Sequence, residues 1–472
     1  MLSTSKLDMF KAVKENEIDK LLKKELEAND HKIVVLDDDP TGVQTVHDVS
    51  VYTDWSEESM CKAFEEENSL FYVLTNSRGF TEEQTTKAHR EIAAAVNKAS
   101  EKTGKKYLYI SRSDSTLRGH YPLETELLKE SYERYTDCHV DGEILCLFFK
   151  EGGRYTIDNV HYVKYGDKLI PACETEFARD KTFGYTARTM PEYVEEKTEG
   201  RFKADDVVCI SLEDLRNEDF SKIKNQLMNV KDFNKIIVNA VDYCDIKVFC
   251  IALLRAIREG KTFLFRSAAS LVKVIGGVSD QPLLTREQMI VNDSRNGGVI
   301  VVGSHTDKTT AQLKQLCTLK NIEPIELDAT LVQDEMAFEQ EIRRCLELEE
   351  KSIRSGKTVC CYTTRKLITA DTGNKEDELR LSVKISDAVQ SLVGKLEVTP
   401  SFVIAKGGIT SSDIGTKALR VKKANVLGQI KPGIPVWQTG KESKFPQTPY
   451  VIFPGNVGEE DTLKNAAEIL MG

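Results

Sequence analysis

Residues Ile33–Gln44 read IVVLDDDPTGVQ, and the abrupt change within them decides the fold. Apolar Ile33–Leu36 gives way to Asp37, Asp38 and Asp39, then to a Pro40-Thr41-Gly42 turn. A short apolar run closed by turn residues reads as a buried strand. Three like charges at its mouth are costly unless a cation, a ligand hydroxyl or backbone N–H groups balance them. In open α/β sheets, ligands bind at the carboxyl ends of strands. Helix capping and turn formation are the plain alternative, since Asp and Thr do both. Two carboxylates would have served a cap, which favours the functional reading.

Outward from this stretch the pattern repeats. Strand-like runs at Leu70–Leu74, Tyr107–Ile110, Ile144–Phe149, Val207–Ile210, Ile236–Val238 and Phe263–Phe265 alternate with charged helical segments such as TEEQTTKAHREIAAAVNKASEKTG (Thr81–Gly104). The first ~30 residues read as an amphipathic helical lead-in. Gly276–Gly298 breaks the alternation, and a second series follows with VIVVGSHTDKTTAQLKQL, TVCCYTT, SFVIAKGGITSSDIG and YVIFPGNVG. The sequence therefore predicts an α/β protein of two domains, 1–290 and 291–472, with mainly parallel sheets and an active site in the interdomain cleft.

Composition narrows the function. With 65 Lys+Arg against 75 Asp+Glu in 472 residues, the formal charge of −10 argues against nucleic acid, whose phosphates need clustered cations. The charged N-terminal stretch holds no signal-peptide core, and no run approaches the ~18 apolar residues of a membrane span. Eleven scattered cysteines without a CxxC pair read as buried reduced thiols. These features together predict a cytoplasmic protein. Neither GKT, at Gly260–Thr262 or Gly356–Thr358, completes a Walker loop, and GxGxxG, HExxH and GxSxG are absent.

Two more strand ends carry polar clusters. YLYISRSDSTLRGHYPLE (Tyr107–Glu124) supplies Arg112, Asp114, Ser115, Thr116 and Arg118; EGGRYTIDNVHYV (Glu151–Val163) supplies Gly153 and Arg154. Guanidinium forks grip carboxylates and hydroxyls read a polyol, so the implied ligand is small, polyhydroxylated and anionic. A capped helix with an internal salt bridge is the alternative for the Tyr107–Glu124 cluster. In the second half, Gly303-Ser304, Ala405–Gly415 and Phe453–Leu463 each place small residues before a helix, where free N–H groups and the helix dipole suit phosphate.

These motifs resemble the four-carbon acid sugar kinase family. Its Asp-Asp-x-Thr-Gly motif is matched by Asp38–Gly42, its DSTLRG by Asp114–Gly119 and its GRxT by Gly153–Thr156. In its nucleotide-binding domain the Gly-Ser turn is matched by Gly303-Ser304, the GGxTS loop by Gly407–Ser411 and the GN-x-G loop by Gly455–Gly458. Departures include Arg112 where the family often has Lys, FFKEGG in place of a Pro-rich entry, and the insertion-like PACETEFARDKTFGY (Pro171–Tyr185). They mark a subgroup with its own substrate.

The resemblance implies ATP-dependent phosphorylation of a sugar-acid hydroxyl, with Mg2+. Residues 1–290 would bind the tetronate-like acid and 291–472 the nucleotide. Arg112, Arg118 and Arg154, with Asp114, Ser115 and Gly153, would hold the substrate, and Asp38 or Asp39 would accept or orient the hydroxyl. Ser304, Gly407, Gly408, Ile409, Thr410, Gly455 and Asn456 would hold ATP. The magnesium ligands are not identifiable. The expected partners are a small anionic sugar acid and ATP, with neither nucleic acid nor membrane, and a homo-oligomer is compatible with the sequence. Two rival readings stand beside this one. Asp37 and Asp39 also fit the DxDxT opening of haloacid-dehalogenase-like phosphatases, with Asp37 as nucleophile. A non-catalytic sensor would bind sugar acid and nucleotide without turnover.

Overall fold

The computed structural model describes residues 1–291, 294–365, 368, 375–455 and 457–472, with the backbone alone at 375–379. The chain forms two compact α/β units: one of Met1–Val46 and Asp54–Asp280, the other of His47–Thr53 and Gln281–Gly472. The expected division near residue 290 thus differs from the observed one in two ways. The chain changes units ten residues earlier, and a short excursion at His47–Thr53 belongs to the second unit.

In the first unit the strands run parallel in the order Val208–Ile210, Asn234–Val238, Gly142–Cys146, Phe263–Ser267, Tyr107–Arg112, Lys32–Asp37 and Leu70–Leu74. Ile33, Val34 and Val35 are wholly buried, each worth roughly 1.5–3 kcal/mol. From Lys32–Asp37 the chain goes first to one neighbour, Leu70–Leu74, and then returns to the other, Tyr107–Arg112. That reversal is a topological switch point, the usual place for a ligand crevice. Between them runs the helix Glu82–Thr103, started by a Thr81–Gln84 capping box and stopped by Gly104 in the left-handed region.

A small antiparallel sheet, Leu2–Ser3, Lys168–Pro171, Val160–Tyr165 and Arg154–Ile157, completes this unit. Of the expected lead-in only Glu15–Glu27 is α-helical; Leu2–Ser3 adds a strand to this sheet and Thr4–Met9 forms a 3-10 helix.

In the second unit five parallel strands lie in the order Pro449–Phe453, Val403–Lys406, Val299–Val302, Thr358–Thr363 and Ile322–Leu327. Beyond Pro449–Phe453 an antiparallel extension adds Ile434–Thr439, Lys423–Lys431 and Val49–Tyr52. Its core gathers Ile300, Val302, Ile404, Val451 and Phe453 with Leu313, Leu463 and Ala467 from helices Asp307–Leu316 and Thr462–Met471. All eleven cysteines are free thiols. Among the described residues no helix is long and apolar enough to cross a membrane.

Candidate functional site

At the switch point of the first unit, Asp37, Asp38, Asp39 and Asp114 meet Arg78, Arg112 and Arg118. Asp37 lies level with Arg112 on the next strand, and Arg112 Nη1 is 3.4 Å from its Oδ1. Both are almost wholly buried. The turn folds tightly over the Asp37 carboxyl: a Cβ on Gly42 would sit 1.7 Å from Asp37 Oδ2, so only glycine fits there. Burial pushes Asp37 up to about 7, against the pull of Arg112.

Asp38 is 3% exposed and fully engaged. Arg78 donates to it through Nη2 at 2.6 Å and Nε at 3.2 Å, and Ser113 Oγ donates at 3.0 Å. Burial raises Asp38, with Arg78 opposing. Asp39 caps the Pro40–Val43 turn, accepting from Thr41 N at 2.8 Å and Thr41 Oγ1 at 2.6 Å, and from Arg78 Nη1 at 3.0 Å. Burial pushes Asp39 up, but Arg78 and the Thr41 bonds outweigh it and hold the group ionised. Asp39 keeps a side chain 16% exposed, against 2% for Asp38, so it is the more accessible of the two.

Arg78 is the hub that sequence reasoning missed. It binds Asp38 bidentately, reaches Asp39, and lies 3.9 Å from Asp114. It comes from TNSRG, directly after the Leu70–Leu74 strand. That is the same grammar of apolar run and polar cluster that identified the other strand ends, so the signal was present.

Asp114 accepts from Arg118 Nε at 2.9 Å and Nη2 at 3.1 Å. Burial opposes its ionisation, but Arg78 and Arg118 hold it well below the usual carboxylate range. Gly119 adopts φ +113°, and a Cβ there would come 2.7 Å from Ser113 Oγ. The Ser115 carbonyl accepts from His161 Nε2 at 2.8 Å, and His161 Nδ1 lies 2.9 Å from Thr156 Oγ1.

The expected substrate arginines therefore differ in availability. Arg112 is 4% exposed and committed to Asp37, which corrects its expected contact with a ligand. Arg118 is committed to Asp114. Arg154 has no carboxylate partner among the described residues; its Nη1 donates to the Gly152 carbonyl and its buried Nε is unsatisfied. The guanidinium groups of Arg118 and Arg154 lie 5.0 and 5.6 Å from the Phe177 ring centre. Phe177 belongs to the insertion-like segment, which thus reaches the site. Gly153 also needs correction. Its N–H donates to Lys150 and its carbonyl accepts from Lys164, so it offers a ligand no backbone donor. Its φ of +71° serves the hairpin, where a Cβ would meet Lys164 at 2.9 Å.

In the second unit, Gly303, Gly407 and Gly455 follow adjacent parallel strands, so their loops lie side by side. A Cβ on Gly303 would sit 2.2 Å from Thr410 Oγ1; Gly407, at φ +120°, is packed against Ser304 and Thr410. Thr306 caps the Asp307–Leu316 helix, and Thr309 Oγ1 donates to Ser304 Oγ at 3.1 Å. Gly408, Ile409 and Thr410 open the next helix, where backbone N–H groups have no intrahelical partner. A cavity of about 260 Å³ adjoins these loops, lined by Gly303, Ile368, Ile385, Val389, Ile409 and Thr410. Ile409 is 74% exposed there. Asn456 lies outside the described residues. Among those residues no three His, Cys, Asp or Glu side chains gather as a metal site.

A switch-point polar site in one unit and a row of Gly-containing strand-to-helix loops in the other mark a two-domain α/β protein. Residues 33–275 match the model of a sugar-binding N-terminal domain and residues 299–463 that of a nucleotide-binding C-terminal domain. The chain belongs to the family with this pair of domains, the four-carbon acid sugar kinase architecture. None of the curated proteins compared with the chain matches it. A Salmonella typhimurium LT2 structure, provisionally described as a tRNA synthase, is 13% identical, covering 92% of this chain and 98% of its own at a TM-score of 0.65. The Haemophilus influenzae protein HI1011, of the DUF1537 family, is 16% identical, covering 93% and 100% at a TM-score of 0.60. At these identities the likeness concerns the fold alone.

Proposed function

We propose that the protein is an ATP-dependent kinase that phosphorylates a hydroxyl of a small, tetronate-like sugar acid. The observation that carries this is Arg154. At a strand-end site where Arg78, Arg112 and Arg118 are each paired with an aspartate, its guanidinium has no carboxylate partner among the described residues. It supplies an anion seat beside hydroxyl-reading carboxylates, and Phe177 forms one wall of it.

Asp39 is the group placed to accept or orient the substrate hydroxyl, and Arg78 fixes its angle. Asp38, bound on both oxygens, positions Arg78. Phosphoryl transfer has a loose transition state and needs orientation and charge neutralisation more than a strong base, so a depressed Asp39 is no obstacle. In the second unit, the N–H groups of Gly408, Ile409 and Thr410, with Ser304 and the Gly455 loop, would hold the ATP phosphates. The 260 Å³ cavity, where Ile368, Ile385, Val389 and Ile409 meet His305, Thr363, Ser382 and Ser386, offers a slot of mixed polarity for the base. Magnesium is held in such sites by phosphate oxygens and one or two carboxylates, so it needs no three-ligand cluster of the kind that is absent among the described residues; when bound, it would neutralise the transferring phosphoryl group.

The phosphatase reading needs Asp37 to meet a phosphorus atom. Its carboxyl is instead covered by the Gly42 turn and paired with Arg112.

The test is an ADP-release screen against four- to six-carbon aldonates, with acid-free controls. One acid should stimulate ADP release well above the control. Arg154→Met should raise KM for that acid at least ~10-fold while leaving ADP affinity unchanged, as expected for losing a charged hydrogen bond. Binding of both ligands with no ADP release would favour the sensor, and phosphate release from a sugar phosphate without nucleotide would favour the phosphatase.

A further inference from the structure

Lys406 ends the Val403–Lys406 strand and is completely buried. Its Nζ donates to the carbonyls of Pro454, at 2.7 Å, and Gly455, at 3.1 Å, and lies 4.2 Å from the centre of the Phe453 ring. An ammonium has three donors, and no carboxylate lies within ion-pair distance of this one among the described residues. The charged groups around it do not compensate it. Lys308, on the first turn of the Asp307–Leu316 helix, adds a second positive charge. Asp307 on the same turn, and Glu459, Glu460 and Asp461 after the Gly455 loop, are exposed.

A buried lysine that has two carbonyls and an aromatic face beside it but no carboxylate among the described residues is an expensive arrangement. Here it lies where the Gly455 loop begins, one strand from the Gly303 turn and next to the residue that starts the Gly407 loop. A helix of ten residues also opens there with its positive dipole end. The two lysines and the helix dipole favour an anion, and no carboxylate of the described residues pairs with Lys406 to supply it.

Resting on the nucleotide reading of this unit, we propose that Lys406 is the phosphate-binding cation of the cradle, and that nucleotide binding takes up a proton onto its amine. The two carbonyls hold the side chain in place until phosphate arrives. Burial lowers the Lys406 amine to about 7, with Lys308 adding to the effect. At pH 8 most molecules therefore carry a neutral Lys406, and a bound phosphate favours the charged form and draws a proton from solvent. Below pH 7 the amine is already charged and uptake fades. Nucleotide affinity accordingly declines as pH rises above about 7.

The test is titration calorimetry of the full chain with magnesium and ADP, in two buffers of different ionisation enthalpy, at pH 8 and pH 6. Uptake should approach one proton per ADP at pH 8 and fall near zero at pH 6. Lys406→Met should abolish the uptake and weaken ADP binding roughly 10- to 100-fold, the range for a charged hydrogen bond. The wild-type proton count stands even if that variant does not fold. Binding of ADP without uptake at pH 8, or a folded Lys406→Met that binds ADP as the wild type does, overturns the role of Lys406 alone. A wild-type chain that binds no ADP overturns the nucleotide reading and this inference together.

Discussion

Asp38 and Asp39 are adjacent in sequence, yet the structure gives them different fates. Asp38 is pinned by Arg78 and Ser113 and is 3% exposed, whereas the Asp39 side chain remains 16% exposed. Asp39→Asn should therefore lower kcat about 100-fold or more, the usual scale for losing a positioned proton acceptor, with ADP affinity unchanged. Asp38→Asn should also lower kcat, and in addition lower the thermal midpoint, because a half-buried Arg78 loses its main partner. Steady-state kinetics and melting curves on both variants separate the roles. An Asp39→Asn enzyme with normal turnover removes Asp39 from the reaction. The aspartate cluster was legible in the sequence because three carboxylates closing an apolar run are more than a turn cap needs, and only Asp39 caps the Pro40–Val43 turn. Arg78 was legible in principle. The fates of Arg112 and Gly153 were not, because sequence shows which residues end a strand but not which of them pair with each other.

At the scale of elements, His161 connects the Arg154–Tyr165 hairpin to the Asp114–Gly119 loop, bridging Thr156 and the Ser115 carbonyl. Burial lowers it to about 4, from an ordinary value near 6.5, so it is neutral in the folded protein at neutral pH. As pH falls below about 6.5 the unfolded chain takes up a proton that the folded chain refuses. Stability is then lost progressively down to about pH 4, with a slope of up to about 1.4 kcal/mol per pH unit. His161→Gln should flatten this part of the profile, and urea denaturation at pH 7, 6 and 5 measures it. An unchanged slope would place the histidine outside the linkage.

The hairpin shows where sequence reading stops. Asp158-Asn159, both at positive φ, is a clear turn signal between alternating residues, but the glycines before it suggested a ligand loop instead. The Lys423–Lys431 strand likewise alternates buried and part-exposed residues, a period-2 pattern that the more visible parallel strands overshadowed. The parallel strands were easy to find because burial on both faces makes them continuous apolar runs.

At the scale of the whole molecule, the excursion at His47–Thr53 makes the domain boundary testable. Val49, Ser50, Val51 and Tyr52 are all buried, and the strand pairs with Lys423–Val426 in the second unit. Leu284 and Met289 also belong to that unit's core, 4% and 0% exposed, and the Leu284 N–H donates to Gln429. A fragment beginning at Gly297 would lose both core residues and the strand. At roughly 2–5 kcal/mol for each large core side chain removed, that loss is comparable with the entire 5–15 kcal/mol stability of a typical domain. It should show no cooperative melting transition. A fragment of residues 281–472 keeps the core but leaves the Lys423–Val426 edge unpaired, so it should melt cooperatively, at a lower temperature, and self-associate through that edge. Attaching residues 47–53 to its N-terminus through a flexible linker should raise the midpoint and restore a monodisperse species. Melting curves and light scattering on the three fragments would decide the matter. If the Gly297 fragment melts at the same temperature as the linked one, neither Leu284, Met289 nor the borrowed strand is part of what holds the second unit together.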